Sequence, residues 1–288
     1  MKEGVHTMNM YQDTISDLCA GVDNTNEVTA EFIKRVATGW VDMAARHSLV
    51  MPPKADVLDA LQALVDCINN IPAVETNVED YFGTPIAFGS FKECYPWTSQ
   101  YVIKFCAKRN PTLDEQSVLM RAAEHGVSHF FIPSFYIQLP RLIESQNLDK
   151  DDDECEVYDP DTHQWTPNPE WEDNSVFTHI CIQPRVAPLG DSDSNSHQFS
   201  VHEKDWGRMV RCIPQLAGED KEDWFILTGT CLNWLIDFGH YYGKTGLITL
   251  RDFCETFGIW DLHAENTGNL IPAISGRAAP IILDWMSR

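Results

Sequence analysis

Residues 261–285 read DLHAENTGNLIPAISGRAAPIILDW. The stretch opens on an acid, Asp261, with an amide, Asn266, five positions on, directly after a run of helical apolar spacing. It closes on Ile281-Ile282-Leu283-Asp284, the pattern of a buried strand ending in a carboxylate. Magnesium is a hard cation and needs only one or two protein oxygens when phosphates complete its shell. The D-x-x-x-x-N spacing is one used in phosphoryl transfer, where the acid orients the acceptor hydroxyl and the amide oxygen ligates the metal.

Two upstream fragments bear on the same chemistry. Gly89-Ser90-Phe91 falls in a strand–turn–strand pattern, where glycine lets the backbone approach a phosphate closely. Taken alone it is a weak signal, one glycine rather than G-x-G-x-x-G. Val102-Ile103-Lys104 follows on the next strand, and a lysine among apolar strand residues costs desolvation unless an anion meets it. An edge lysine turned to water reads equally well in isolation. The four fragments gain weight from their order along the chain.

Around them the pattern is α+β. Residues 27–51 and 55–72 carry amphipathic helical spacing and are hinged at Pro52-Pro53. Short β-like runs follow at 84–95 and 100–106, then a helix over 112–125 and an apolar run at 130–139. Residues 146–175 are acidic and rich in Pro and Asn, as expected of a solvated insertion or hairpin. A strand over 176–184 and a polar stretch at 190–200 lead to helices near 204–216, 221–242 and 249–258. The expected organisation is a helical extension over 1–79, a strand-rich lobe over 80–183 carrying the insertion, and a mostly helical lobe over 184–288.

Composition narrows the function. A net charge of −22 repels nucleic-acid phosphates and anionic membranes, so neither is expected as a direct ligand. Solubility accounts for such a charge, and so does affinity for basic partners. No apolar run is long enough to span a bilayer, and MKEGVHTMNMYQDT lacks a signal-peptide core. The nine cysteines never form C-x-x-C, which points to reduced thiols in a cytoplasm rather than a disulfide framework or structural zinc.

GSFKECYPWTSQYVIKF (89–105) resembles the glycine loop and lysine strand of protein-kinase-like folds. DLHAEN with ILDW is similar to the D-[LM]-H-x-x-N…D signature of atypical members of that superfamily, aminoglycoside phosphotransferases included. Over residues 55–286 the chain most resembles the early serine/threonine protein kinases of podovirus-type bacteriophages. The resemblance implies a two-lobed kinase-like fold with a truncated, mostly helical C-lobe, using ATP and Mg²⁺ on host proteins in the bacterial cytoplasm. It implies Gly89 and Ser90 over the nucleotide phosphates, with Lys104 on the α/β-phosphates. Asp261 is implied as catalytic base, with Asn266 and Asp284 as metal ligands. Glu115, or alternatively Glu124, is the acid paired with Lys104, and Gln183-Pro184-Arg185-Val186 is the hinge against adenine. His263 either supports the loop by hydrogen bonding or is a plain structural histidine.

The chain also departs from that family. Ile259-Trp260 stands where His-Arg usually precedes the catalytic acid, and Trp285 replaces the Phe-Gly after the metal-binding acid. The sequence stops at Arg288, without an activation segment or trailing helical subdomain. Substrate recognition is therefore expected from the N-terminal helices, the 146–175 insertion and the acidic surface. Ser192, Ser194, Ser196 and Ser200 are candidate self-phosphorylation sites. Two other readings stay open: a catalytically weak kinase-fold protein that occupies a basic host factor, and a small-molecule phosphotransferase.

Overall fold

The computed structural model describes residues 15–23, 26–71, 77–89, 92–107, 112–144, 156–159, 164–167, 176–188, 203–224, 233–260, 262, 266–270 and 279–287. Ser90, Asp261, His263 and the four candidate phosphorylation serines lie outside them, as does most of the 146–175 insertion. The chain is mixed α+β and divides into two compact units. The first comprises Met1–Asn110 and Ser134–Gln183, the second Pro111–Pro133 and Pro184–Arg288.

In the first unit, helices Glu27–Arg46 and Lys54–Asn70 pack on a five-stranded sheet. The first helix begins where the Asn26 side chain accepts the Val28 amide at 3.0 Å, filling one orphan donor of the opening turn. It ends at Arg46, short of the expected 51, because Ser48 turns to a positive φ of 54° and Leu49 N–H closes back on Ala44. Its buried stripe, Phe32, Ile33, Val36, Trp40 and Met43, recurs at helical spacing and faces the sheet.

The sheet runs β1 (Ala87–Gly89), β2 (Lys92–Pro96), β3 (Tyr101–Ala107), β7 (Val176–Pro184), β4 (Phe135–Glu144). A separate hairpin, β5 (Glu156–Asp159) with β6 (Gln164–Pro167), lies within the acidic insertion. Aromatic rings join helices to sheet. Trp40 stacks on Trp97 at 4.4 Å and meets Tyr101 edge-on at 5.1 Å. The Trp97 indole donates to the Ala60 carbonyl at 2.8 Å, and the Tyr101 hydroxyl donates to Val50 at 3.0 Å. Trp97 and Tyr101 thus bury their area and satisfy their polar ends on a helix or the loop beside it.

The second unit is built on helix Asn233–Phe257, which leaves helical dihedrals at Gly243. Gly243 divides it into two helical stretches, where two helices, 221–242 and 249–258, are expected from spacing; Lys221–Trp224 is a separate 3-10 turn. The Tyr242 hydroxyl donates to the carbonyls of His129 and Pro280, tying the helix to a short turn and to a strand. Its Trp234, Phe238 and Leu250 join Phe130, Phe131, Trp224 and Trp285 in one core. The unit is less helical than its sequence reads. It holds β8 (Ala187–Pro188), β9 (Ile259–Trp260), β10 (Thr267–Leu270), β11 (Ala279–Ile282) and β12 (Met286–Ser287). These form two small sheets, β11-β10-β8 and β12-β9.

The seven described cysteines are free thiols. Burial pushes Cys67 and Cys254 well above the ordinary thiol range. Among the described residues no helix is long and apolar enough to cross a membrane.

Candidate functional site

The short strands of the second unit decide where Asn266 and Asp284 sit. Gly258, at a positive φ of 60°, follows the long helix and turns the chain into β9. There Trp260 pairs with Met286 and Ile259 with Ser287. Further along, Thr267 pairs with Ile282 and Gly268 with Ile281. One segment must therefore fit the six residues 261–266 between two fixed pairings, while the facing segment has only 283–285. The middle of the shorter side is Asp284.

Local bonds hold both ends of that arrangement. The Leu283 amide donates to the Asn266 carbonyl at 2.7 Å, extending the ladder one step past Thr267–Ile282. The Asp284 carboxylate accepts the amide of Trp285 at 3.0 Å, which fixes its side-chain direction. Trp285 is 2% exposed and meets Phe131 edge-on at 5.1 Å. Ile282 is fully buried, and its carbonyl accepts Ile132 N–H at 2.8 Å. The backbone that carries Asp284 is thus anchored in the core on both sides. Asn266 and Asp284 offer an amide and a carboxylate oxygen, the hard donors that Mg²⁺ takes alongside phosphates.

In the first unit, register sorts the sheet residues. Ile103, Phe105 and Ala107 of β3 join the core beneath the helices, so Lys104 belongs to the opposite face. Cross-strand partners share a face, which puts Ala87, Cys94 and Lys104 in one row. Gly89, Lys92 and Cys106 form the next row of that face. Gly89 and Lys104 are therefore brought to one side of the sheet, one row and two strands apart. Lys104 is half-buried on the third strand, the context that a phosphate-pairing lysine motif requires.

The remaining expected residues fall as follows. Glu115 is 3% exposed on helix Thr112–Glu124, whereas Glu124 is exposed at the end of that helix. The Gln183 side chain is buried, and its amide donates to the Ser134 hydroxyl at 2.9 Å. Arg185 is exposed. Trp260, absent from the expected set, stands 44% exposed immediately before Asp261. The only signal for it in the sequence is an aromatic residue where the resembled family keeps arginine.

No known protein family, curated protein or solved structure matches the chain.

Proposed function

We propose that the chain is an ATP-dependent serine/threonine protein kinase, made by a bacteriophage and acting on host proteins. The observation that supports this reading is the pairing of Trp260 with Met286 and of Thr267 with Ile282, which sets the segment carrying Asp284 beside the one carrying Asn266. A metal–phosphate site needs hard oxygen donors, and the two facing segments supply an amide and a carboxylate.

In this reading the acceptor oxygen attacks the γ-phosphorus of ATP and its proton passes to the Asp261 carboxylate. The bond between the γ-phosphorus and the bridging oxygen breaks, and ADP leaves with that electron pair. The Asn266 amide oxygen and the Asp284 carboxylate would hold Mg²⁺, which would supply positive charge against the phosphates. Lys104 steadies the α/β-phosphates, with Gly89 permitting their approach to the backbone.

The test is incubation of the purified chain with γ-labelled ATP and Mg²⁺, with and without bacterial lysate. Label on lysate proteins or on the chain itself is expected, and it should be absent from the Asp261→Asn variant. Label equal in that variant and the parent would overturn the assignment. The charge of −22 favours a second reading, a basic-factor binder, which requires stable capture of a basic protein without label transfer.

A further inference from the structure

Edge strands invite pairing with another chain, and folded proteins blunt them with bulges, proline and charged side chains. β4 is an outer strand of the five-stranded sheet and pairs with β7 alone among the described strands. Its far half is blunted. The register breaks between Gln138 and Ile143, and the irregular stretch contains Pro140 and Arg141. Its near half, Phe135–Gln138, pairs regularly with β7 from Ile182 to His179 and contains neither proline nor a charged residue.

That unprotected half borders a cleft of about 610 Å³. The strand contributes Phe135, Tyr136 and Ile137, and helix Glu27–Arg46 contributes Glu31, Lys34 and Arg35. Ile137 joins the core beneath the helices, so Phe135 shares that face and Tyr136 belongs to the opposite one. A cleft touched by residues of both faces runs along the edge of the strand, not over one face of the sheet. A space between an outer strand and a helix suits an extended peptide, which adds to the sheet as a further strand.

Charge narrows what that peptide carries. Lys34 and Arg35 are exposed, and neither forms an ion pair among the described residues. Glu31 is the carboxylate among the residues lining the cleft. The helix as a whole is balanced, with Glu27, Glu31 and Asp42 against Lys34, Arg35 and Arg46, so the positive excess is local to the cleft. Charges more than about 8 Å away are largely screened at physiological salt, which leaves the two adjacent cations to outweigh the overall −22.

We propose that the cleft between helix Glu27–Arg46 and β4 is a strand-addition site for an extended acidic peptide of a partner protein. Its main chain extends the sheet at β4, and its carboxylate meets Lys34 and Arg35. The inference is independent of the kinase reading, and its test leaves out ATP.

Peptides are selected from a phage-displayed random library on the full-length chain, then synthesised and titrated by fluorescence anisotropy. Those selected should carry Asp or Glu, and the double variant Lys34→Gln, Arg35→Gln should bind them about tenfold or more weakly. Glu31→Gln should bind them about two- to fivefold more tightly. Both cations are exposed, so matching thermal melts would show that the variants fold alike. Hydrogen exchange should slow in β4 on binding and stay unchanged in β1, the opposite edge of the sheet. A failure to select acidic peptides, affinity indifferent to the double variant, or protection away from β4 overturns the proposal. Dimerisation of the chain that the double variant abolishes would place a second copy in the cleft and overturn it as well.

Discussion

The Leu283 amide and the Asn266 carbonyl, 2.7 Å apart, join the two segments that carry the candidate metal ligands. One bond past a regular ladder would ordinarily fray. Here Ile282, fully buried, and Trp285, 2% exposed, clamp the strand on either side of Leu283. The Leu283 amide is therefore expected to exchange with solvent only on opening of the second unit's core. Hydrogen exchange read by NMR should place it with the slow amides of β11. Exchange at the rate of an exposed loop would show that Asn266 and Asp284 are free to separate.

Lys104 supplies a test on the other unit. It lies opposite Cys94 on the sheet face away from the helices, so its charge has no part in the Trp40–Trp97–Tyr101 core. Lys104→Met should leave thermal stability within a few degrees of the parent and weaken ATP binding about tenfold or more. Fluorescent-nucleotide titration checks this. Unchanged affinity would remove Lys104 from the site.

The helix–sheet contact of the first unit depends on a missing side chain. A Cβ at Gly39 would fall 2.0 Å from Phe135 Cε2, too close for the ring to stay where it is. Gly39→Ala should cost about 1–3 kcal/mol of stability, despite the better helix propensity of alanine. Adding Phe135→Leu should recover part of the loss, as urea denaturation of the single and double variants would show. A stabilised Gly39→Ala would mean that the helix does not sit on this ring.

Tyr101 sets an alkaline limit. Burial pushes its hydroxyl from an ordinary 10.0 up to about 12 in the folded chain. Below about pH 10 neither state is ionised and the full stability is present. As pH rises from about 10 to about 12, the unfolded chain releases this proton while the folded chain retains it, so stability falls. The loss reaches about 2–3 kcal/mol at the upper end. Urea midpoints across this range should decline less steeply in Tyr101→Phe, although that variant starts lower by about 1 kcal/mol for its lost bond to Val50. Equal slopes would contradict a buried hydroxyl.

Much of the first unit was legible in its sequence. Helices Glu27–Arg46 and Lys54–Asn70 carry apolar stripes, and β3 and β7 are nearly continuous apolar runs, so periodicity alone locates them. The second unit was harder to read. Thr267–Leu270 is TGNL, with no alternation, and β9 and β12 are two residues each. Such segments are strands only because a partner lies beside them, and pairing over a distance leaves no local mark. Asn266 and Asp284 were singled out by residue type and spacing alone, and the pairing puts the segments that carry them side by side. Trp260 was not, since its exposure follows from the register with Met286.

The most direct test of the central claim is calorimetric titration of Mg-ATP into the parent, Asn266→Ala and Asp284→Ala, repeated with excess EDTA. If the paired segments hold one ion, the parent binds ATP only with Mg²⁺, and each variant loses about tenfold or more in affinity while keeping its fold. Metal-independent binding in the parent, or affinity unchanged in both variants, would show that Asn266 and Asp284 do not form a nucleotide–metal site.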